Sequence, residues 1–319
     1  MLKLFLVLLF IDSSPILAWQ ENVRIYQQCS SCHVSPSGGG VLTEYGKGLS
    51  TQFATFDKES FGPSNYSAFK TPKNLLLGGN VRNLYIKQEI GDFERERIFL
   101  MQADMELAIM FKNITVVGTA GVYNVDYEKD FENEIEYRRY YAKYQFNENM
   151  IFRVGQFFTN FGLMLDDHTE TIRTAPGYGQ NTESKNYELG YYSELFNLVG
   201  TLEQNKDGSF GDALDLRIFP WKMVLGASIK EEFNAFYVAT PITKRAYLMA
   251  EYLTDDIYYL KTGFELYRGI VPYVKYTNDS RETYSIGSQL HFMPHLEFLL
   301  ESSHSKGYAD FTASSNYYF

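Results

Sequence analysis

Cysteine is almost missing from this sequence, 2 residues in 319, and tryptophan is equally scarce at 2. Two cysteines are too few for the disulfide framework that holds many small exported domains together. No apolar run approaches the ~20 residues that a membrane-spanning helix needs. A mean hydropathy of −0.27 argues the same way, against a bundle of such helices. Positive charge is also in deficit: 29 Lys and Arg stand against 39 Asp and Glu, a net charge of −10. That balance offers no electrostatic basis for a nucleic-acid partner.

What the chain does have is ring systems. Aromatics make up 17% of it, with 26 Tyr and 25 Phe. Both types favour strands over helices, and Tyr also suits a membrane–water boundary. The first residues carry the three parts of an export signal: Lys3, the short apolar run Leu4 to Ile11, and the small-residue stretch Ser13 to Ala18. The expected organisation is a signal peptide at 1–18, a small module with its linker at 19–73, and a large domain at 74–319.

Both cysteines fall in one stretch, Cys29-Ser30-Ser31-Cys32-His33. Haem attachment needs two thiols spaced to reach both vinyl groups of one porphyrin. It also needs an imidazole directly after the second thiol to meet the iron from the proximal side. A redox dithiol would want a βαβ context, and a zinc site would want two further ligands nearby. Residues 34–100 hold neither Cys nor His. The expected cofactor is therefore one haem c, bound through Cys29, Cys32 and His33. Ser35 to Gly40 reads as a turn, and residues 41–53 as a short helix with Leu42, Tyr45 and Leu49 on one face. Residues 54–73, rich in Ser, Pro and Asn, read as linker.

Residues 34–100 also lack Met. Either the iron has no strong distal ligand, or the ligand comes from beyond residue 100. The candidates in order are His168, Met164 and His291. A module with so little apolar material is not expected to fold alone, so it should dock against the larger domain.

From about residue 75 onward, segments of roughly ten residues alternate apolar and polar side chains between turn residues. Phe99, Met101, Ala103, Met105, Leu107 and Ile109 interleave with Gln102, Asp104 and Glu106. Leu214, Leu216 and Ile218 flank Asp215 and Arg217. Tyr284, Ile286, Ser288, Leu290 and Phe292 alternate with Ser285, Gly287, Gln289 and His291. A β-sandwich shows the same period. However, charged residues recur on the second face, as they would in a water-facing lumen. About sixteen segments are counted, and the chain ends Asn316-Tyr317-Tyr318-Phe319, a terminal aromatic of the kind that marks barrel proteins for outer-membrane insertion. The fold class expected is all-β: an outer-membrane antiparallel β-barrel of about 16 strands with a small N-terminal haem module. After Arg153 to Phe158 the alternation stops for about twenty-five residues, which include Met164, His168 and Arg173. This loop reads either as folded into the pore or as a mobile extracellular segment.

Cys29 to His33, with Ser35-Pro36, Gly38 to Gly40 and Leu42 to Leu49, resembles the N-terminus of fused monohaem porin–cytochromes. Val154-Gly155-Gln156-Phe157 with Phe161-Gly162-Leu163 is similar to phosphate-selective porins, in which the corresponding loop lines the lumen. The fused family includes outer-membrane iron oxidases. The resemblance thus implies an electron conduit in the bacterial outer membrane, with electrons passing between an extracellular donor and a periplasmic c-type cytochrome. The donor is left open between Fe²⁺ and another reductant. Lumen-side acids such as Asp104 and Glu106 would attract a cation. Two alternatives stand beside the conduit: a passive porin whose haem segment is a plug or redox gate, and a haem peroxidase-type enzyme.

Overall fold

The computed structural model describes residues 29–36, 38–47, 72–123, 135–165, 170–179, 182–205, 208–279, 281–293 and 295–318. The expected signal peptide at 1–18 lies outside them, as do residues 48–71, Leu49 among them. The strands run β1 (Leu75–Ile90), β2 (Phe93–Phe111), β3 (Ile114–Tyr123), β4 (Glu136–Gln145), β5 (Met150–Phe157), β6 (Ser184–Tyr192), β7 (Phe196–Gln204) and β8 (Phe210–Ile218). They continue as β9 (Val224–Lys230), β10 (Phe233–Pro241), β11 (Ala246–Leu253), β12 (Ile257–Phe264), β13 (Ile270–Asn278), β14 (Glu282–Met293), β15 (Leu296–Ser305) and β16 (Tyr308–Tyr318). Each pairs antiparallel with its sequence neighbour, and β1 pairs with β16, so the 16-stranded sheet closes on itself. Closure leaves no sheet edge running the length of the wall, which is the condition for strands to cross hydrocarbon. Among the described residues no helix is long and apolar enough to cross a membrane.

Period two sorts the side chains. On β8, Leu214, Leu216 and Ile218 are exposed outside, while Ala213 and Asp215 are buried inside. On β14, Tyr284, Ile286 and Phe292 face out, and Ser285, Gln289 and His291 face in. Exposed rings collect near both rims. Tyr144 with Phe146, Tyr191 with Phe196, and Trp221 stand by the turns at the end where the barrel strands begin and finish. Tyr252 with Tyr258 and Tyr276 with Tyr284 stand at the other end. An apolar band between two aromatic girdles is the exterior that a bilayer selects.

Two bulges break the alternation. In β2 the register passes from Asn83↔Leu100 to Arg82↔Gln102, so Met101 is the extra residue and lies buried beside Gln102. The face changes there. Ile98, not Phe99, is the exposed residue at 79%, so Phe99 and Met101 do not share the outward row of Met105 and Leu107 that simple alternation predicts. In β4 the register passes from Thr119↔Arg139 to Ala120↔Tyr137. Arg138 is the extra residue. Tyr137 and Tyr140 stay outside, and Arg138 and Arg139 both reach lumen-side partners.

The lumen is not an open water channel along its whole wall. The loop 158–183 between β5 and β6 folds inward. Its Phe161, Leu165, Ile172 and Tyr178 pack on Tyr237, Tyr247, Met249, Leu253, Tyr259 and Val271 from β10–β13. The inner face of that wall sets this apolar cluster among a few charges, Glu251, Lys261 and Lys275, where a uniformly charged, wetted face was expected. The loop therefore takes the inward alternative.

Candidate functional site

Cys29–Cys32 forms one helical turn, closed by the His33 N–H donating to the Cys29 carbonyl at 2.8 Å. Residues three apart on a helix share a face, so the turn carries both thiols on one side with His33 following directly. The chain then doubles back: His33 bridges Leu42, and the Val34 N–H donates to Val41 O at 2.9 Å. The reversal between them uses Gly38, Gly39 and Gly40 at φ of +83°, +66° and +68°, angles that residues with a Cβ adopt only with strain. A Cβ on Gly38 would stand 3.5 Å from Cys29 Sγ, in the space beside that thiol. The helix expected over 41–53 is shorter where it is described. Leu42 is committed to the bridge with His33, and the helical turn begins only after Thr43. The Thr43 side chain accepts from the Gly46 N–H at 3.1 Å as an N-cap does.

This motif docks inside the barrel. Val34 and Val41 share a buried cluster with Leu76, Ala108, Val117, Tyr141 and Phe157 from β1–β5. Lys143 Nζ donates to Val34 O at 2.8 Å, Arg153 Nη1 to Ser35 Oγ at 3.0 Å, and Lys47 Nζ to Leu77 O at 2.8 Å. Arg153 is 0% exposed. Its guanidinium lies 3.7 Å from the Phe157 ring centroid and pairs with Glu188 at 2.6 Å. A buried cation is tolerated only when so paired. The docked residues sit by the ends of β1–β5 where β1 begins. That end carries the turns 112–113 and 146–149, whereas β3 ends and β4 begins, and β5 ends and β6 begins, at the opposite end.

Burial pushes the Cys32 thiol above its ordinary range, and neighbouring Cys29 adds to the effect. That is the opposite of the lowered thiol of a reactive dithiol. No disulfide joins the two cysteines. Among the described residues no group of three or more His, Cys, Asp or Glu comes together to hold a metal ion. The turn, the paired sulfurs, the adjacent imidazole and the glycine-lined space beside Cys29 fit a thioether-bound porphyrin better than a zinc or dithiol site.

The distal candidates fall in three different places. Met164 lies on the inward loop at φ +56°. Its sulfur is 3.4 Å from the Phe161 backbone nitrogen and 3.4 Å from Arg173 Nη1. The loop is held by a latch: the Gly162 N–H donates to Ser228 Oγ at 3.0 Å, the Leu163 N–H to Glu251 Oε2 at 2.9 Å, and Arg217 Nη2 to Gly162 O at 3.2 Å. Arg217, which also pairs with Asp215 at 2.8 Å, thus ties the loop bearing Met164 to β8. His291 faces the lumen from β14 and is 1% exposed. His168 lies outside the described residues. His304 faces outward, and His295 occupies the β14–β15 turn with its ring edge on Tyr318. Asp104 and Glu106 do face inward but are already engaged. Asp104 accepts from Gln102 and from Tyr123, and Glu106 pairs with Arg139 at 3.4 Å.

The residues that dock the motif and latch the loop, Lys143, Arg153, Arg217, Ser228 and Glu251, are functional positions that alternation does not announce. One signal was present. Glu251 is the lone charge in Ala246-Tyr-Leu-Met-Ala-Glu251-Tyr-Leu253, a strand apolar on both faces.

No protein-family model and no curated protein matches the sequence. Solved structures do match the fold. A triple mutant of the Rhodopseudomonas blastica porin aligns with a TM-score of 0.58 at 10% identity, covering 77% of this chain and 100% of that one. Salmonella typhi OmpF, solved in complex with daunomycin, aligns at 0.58 and 12% identity over 77% of this chain and 97% of its own. The outer-membrane channel DcaP of Acinetobacter baumannii aligns at 0.53 and 11% identity, over 79% and 99%. At such identities the likeness establishes a porin-like barrel and nothing finer.

Proposed function

We propose that this chain is an outer-membrane electron conduit that carries one haem c on Cys29 and Cys32, with His33 as the proximal iron ligand. The observation that supports this reading best is the seat of the motif. The only two cysteines of the sequence stand on a turn that lumen side chains hold inside a barrel. When bound, haem exchanges one electron at a time between its ferric and ferrous states, and its potential answers to axial ligand, burial and hydrogen bonds. The chain's own residues do the rest. Lys143 and Arg153 tether the segment that follows the turn, and Phe157 and Tyr141 pack against it. Met164, His168 and His291 are the candidate distal ligands. The reading places the docked turn at the periplasmic mouth, because short turns face the periplasm in such barrels. Its electron acceptor would be a periplasmic c-type cytochrome and its donor an extracellular reductant, Fe²⁺ among the candidates.

A second reading has one observation in its favour: the porin-like fold itself, with the docked segment then acting as a plug or gate in a passive pore. Ion conductance in a planar bilayer, set against electron transfer to an acceptor trapped in liposomes, decides between them. Intact-mass analysis of the mature protein, with an alkaline-pyridine spectrum, tests the haem that both carry. The conduit requires one covalent haem, lost in Cys29→Ala and in His33→Ala while the barrel still inserts. Bare thiols in a host that matures its other c-type cytochromes would exclude it.

A further inference from the structure

We infer that Arg138 is the receiving side of an oxyanion site in the lumen, shaped for a carboxylate or a phosphate group. The β4 bulge adds Arg138 to the strand beside Arg139. Arg138 is 2% exposed. Its Nε donates to Glu183 Oε1 at 2.7 Å, and its guanidinium carbon lies 4.7 Å from the Tyr123 ring centroid and 5.9 Å from that of Phe158. Both terminal nitrogens, Nη1 and Nη2, are buried with no hydrogen-bond partner among the described residues. Unmet buried donors cost their full desolvation, and here the cost falls on the two atoms that form the fork of the guanidinium. Glu183 answers much of the charge, but nothing answers the fork. A planar carboxylate or a phosphate does so with two parallel bonds.

The surroundings favour such a guest. Arg173 lies 5.6 Å from the centroid of the same Phe158 ring, so a second guanidinium stands near that ring. Glu106 is engaged by Thr119 and Arg139, and Asp104 Oδ2 by Gln102 and Tyr123, while Asp104 Oδ1 has no partner among the described residues. The site also touches the docked segment: Arg139 Nη1 stands 3.1 Å from where a Cβ on Gly40 would be, at the far end of the glycine turn that begins beside Cys29. The oxyanion can come from two sources. One is a propionate of a porphyrin hung from Cys29 and Cys32, since propionates leave the macrocycle on the edge away from the thioethers. The other is a free anion in the lumen. The site stands without the porphyrin; only the choice of source depends on it.

The test uses the full chain and its Cys29→Ala/Cys32→Ala form, each with Arg138, Arg138→Gln or Arg138→Lys, titrated calorimetrically with inorganic phosphate and with acetate. The haem-free form is expected to bind at least one of these anions. Affinity should fall on the order of 10-fold or more in Arg138→Gln and less in Arg138→Lys, as loss of a charge-assisted fork requires. Arg138→Lys keeps a cation facing Glu183, so it decides the matter should Arg138→Gln fail to fold. If the full chain refuses the anions and its midpoint potential drops in Arg138→Gln, the propionate fills the site. If the full chain binds them as the haem-free form does, solution supplies them. Anion affinity indifferent to Arg138, or no binding by the haem-free form together with an unmoved midpoint potential, overturns the site.

Discussion

At the scale of single residues, many of the lumen charges are held in pairs. Arg153 is the clearest, fully buried and shared between Glu188, Ser35 of the docked segment and the face of Phe157. Arg153→Ala leaves Glu188 buried without its cation, which typically costs ~3–5 kcal/mol, and removes one tether of the motif turn. The expected result is a lowered thermal midpoint in detergent, with protease reaching the Cys29–His33 segment of a barrel that is otherwise closed. His295 supplies a pH dependence. Burial, reinforced by Lys47, holds its imidazole down from 6.5 to about 4. A histidine whose folded pKa is depressed takes up protons more readily when unfolded, so its contribution is intact above pH 6.5 and is lost as pH falls toward 4. Thermal midpoints of the native protein should decline over that interval, and His295→Gln should flatten the decline. The Cys29–His33 motif that the proposal rests on was legible at this scale because its residues are contiguous. Arg138 and Arg153 were not. Each acquires its role from neighbours scores of residues away in the chain.

At the scale of elements, the strands were legible and their irregularities were not. Alternation assigns the two faces correctly along β8, whose pairing is uninterrupted, and along β14, whose one register shift comes only at its end, between Leu290 and Met293. A bulge adds one residue with no mark in the sequence, so Met101 and Arg138 each shift everything on one side of them. The inward course of the loop 158–183 was open in the sequence and is fixed by its contacts. Gly162 is the pivot. At φ +63° it sits where an added Cβ would collide with the Glu251 carboxylate, and left-handed backbone alone makes Ala there unfavourable by roughly 1–2 kcal/mol. Gly162→Ala should therefore loosen the latch with Ser228, Arg217 and Glu251. Single-channel recordings should show higher conductance than the native protein, with the barrel's heat-modifiable gel mobility unchanged. Equal conductance would mean that the loop does not limit the pore.

At the scale of the whole molecule, a closed 16-stranded wall is lined from within on two sides, by the motif segment on β1–β5 and by the latched loop on β10–β13. In the proposed conduit the motif segment would carry the redox centre across part of a hydrocarbon layer of about 25 Å, and the latched loop would narrow the remaining lumen. The direct test is electron transfer across a membrane that contains this protein alone. Liposomes are loaded with a ferric c-type cytochrome and given a membrane-impermeant reductant outside. Reduction of the trapped cytochrome by the native protein, and its absence with His33→Ala inserted to the same level, is the expected result. Native protein that carries its haem, inserts, and leaves the trapped cytochrome oxidised would contradict the conduit.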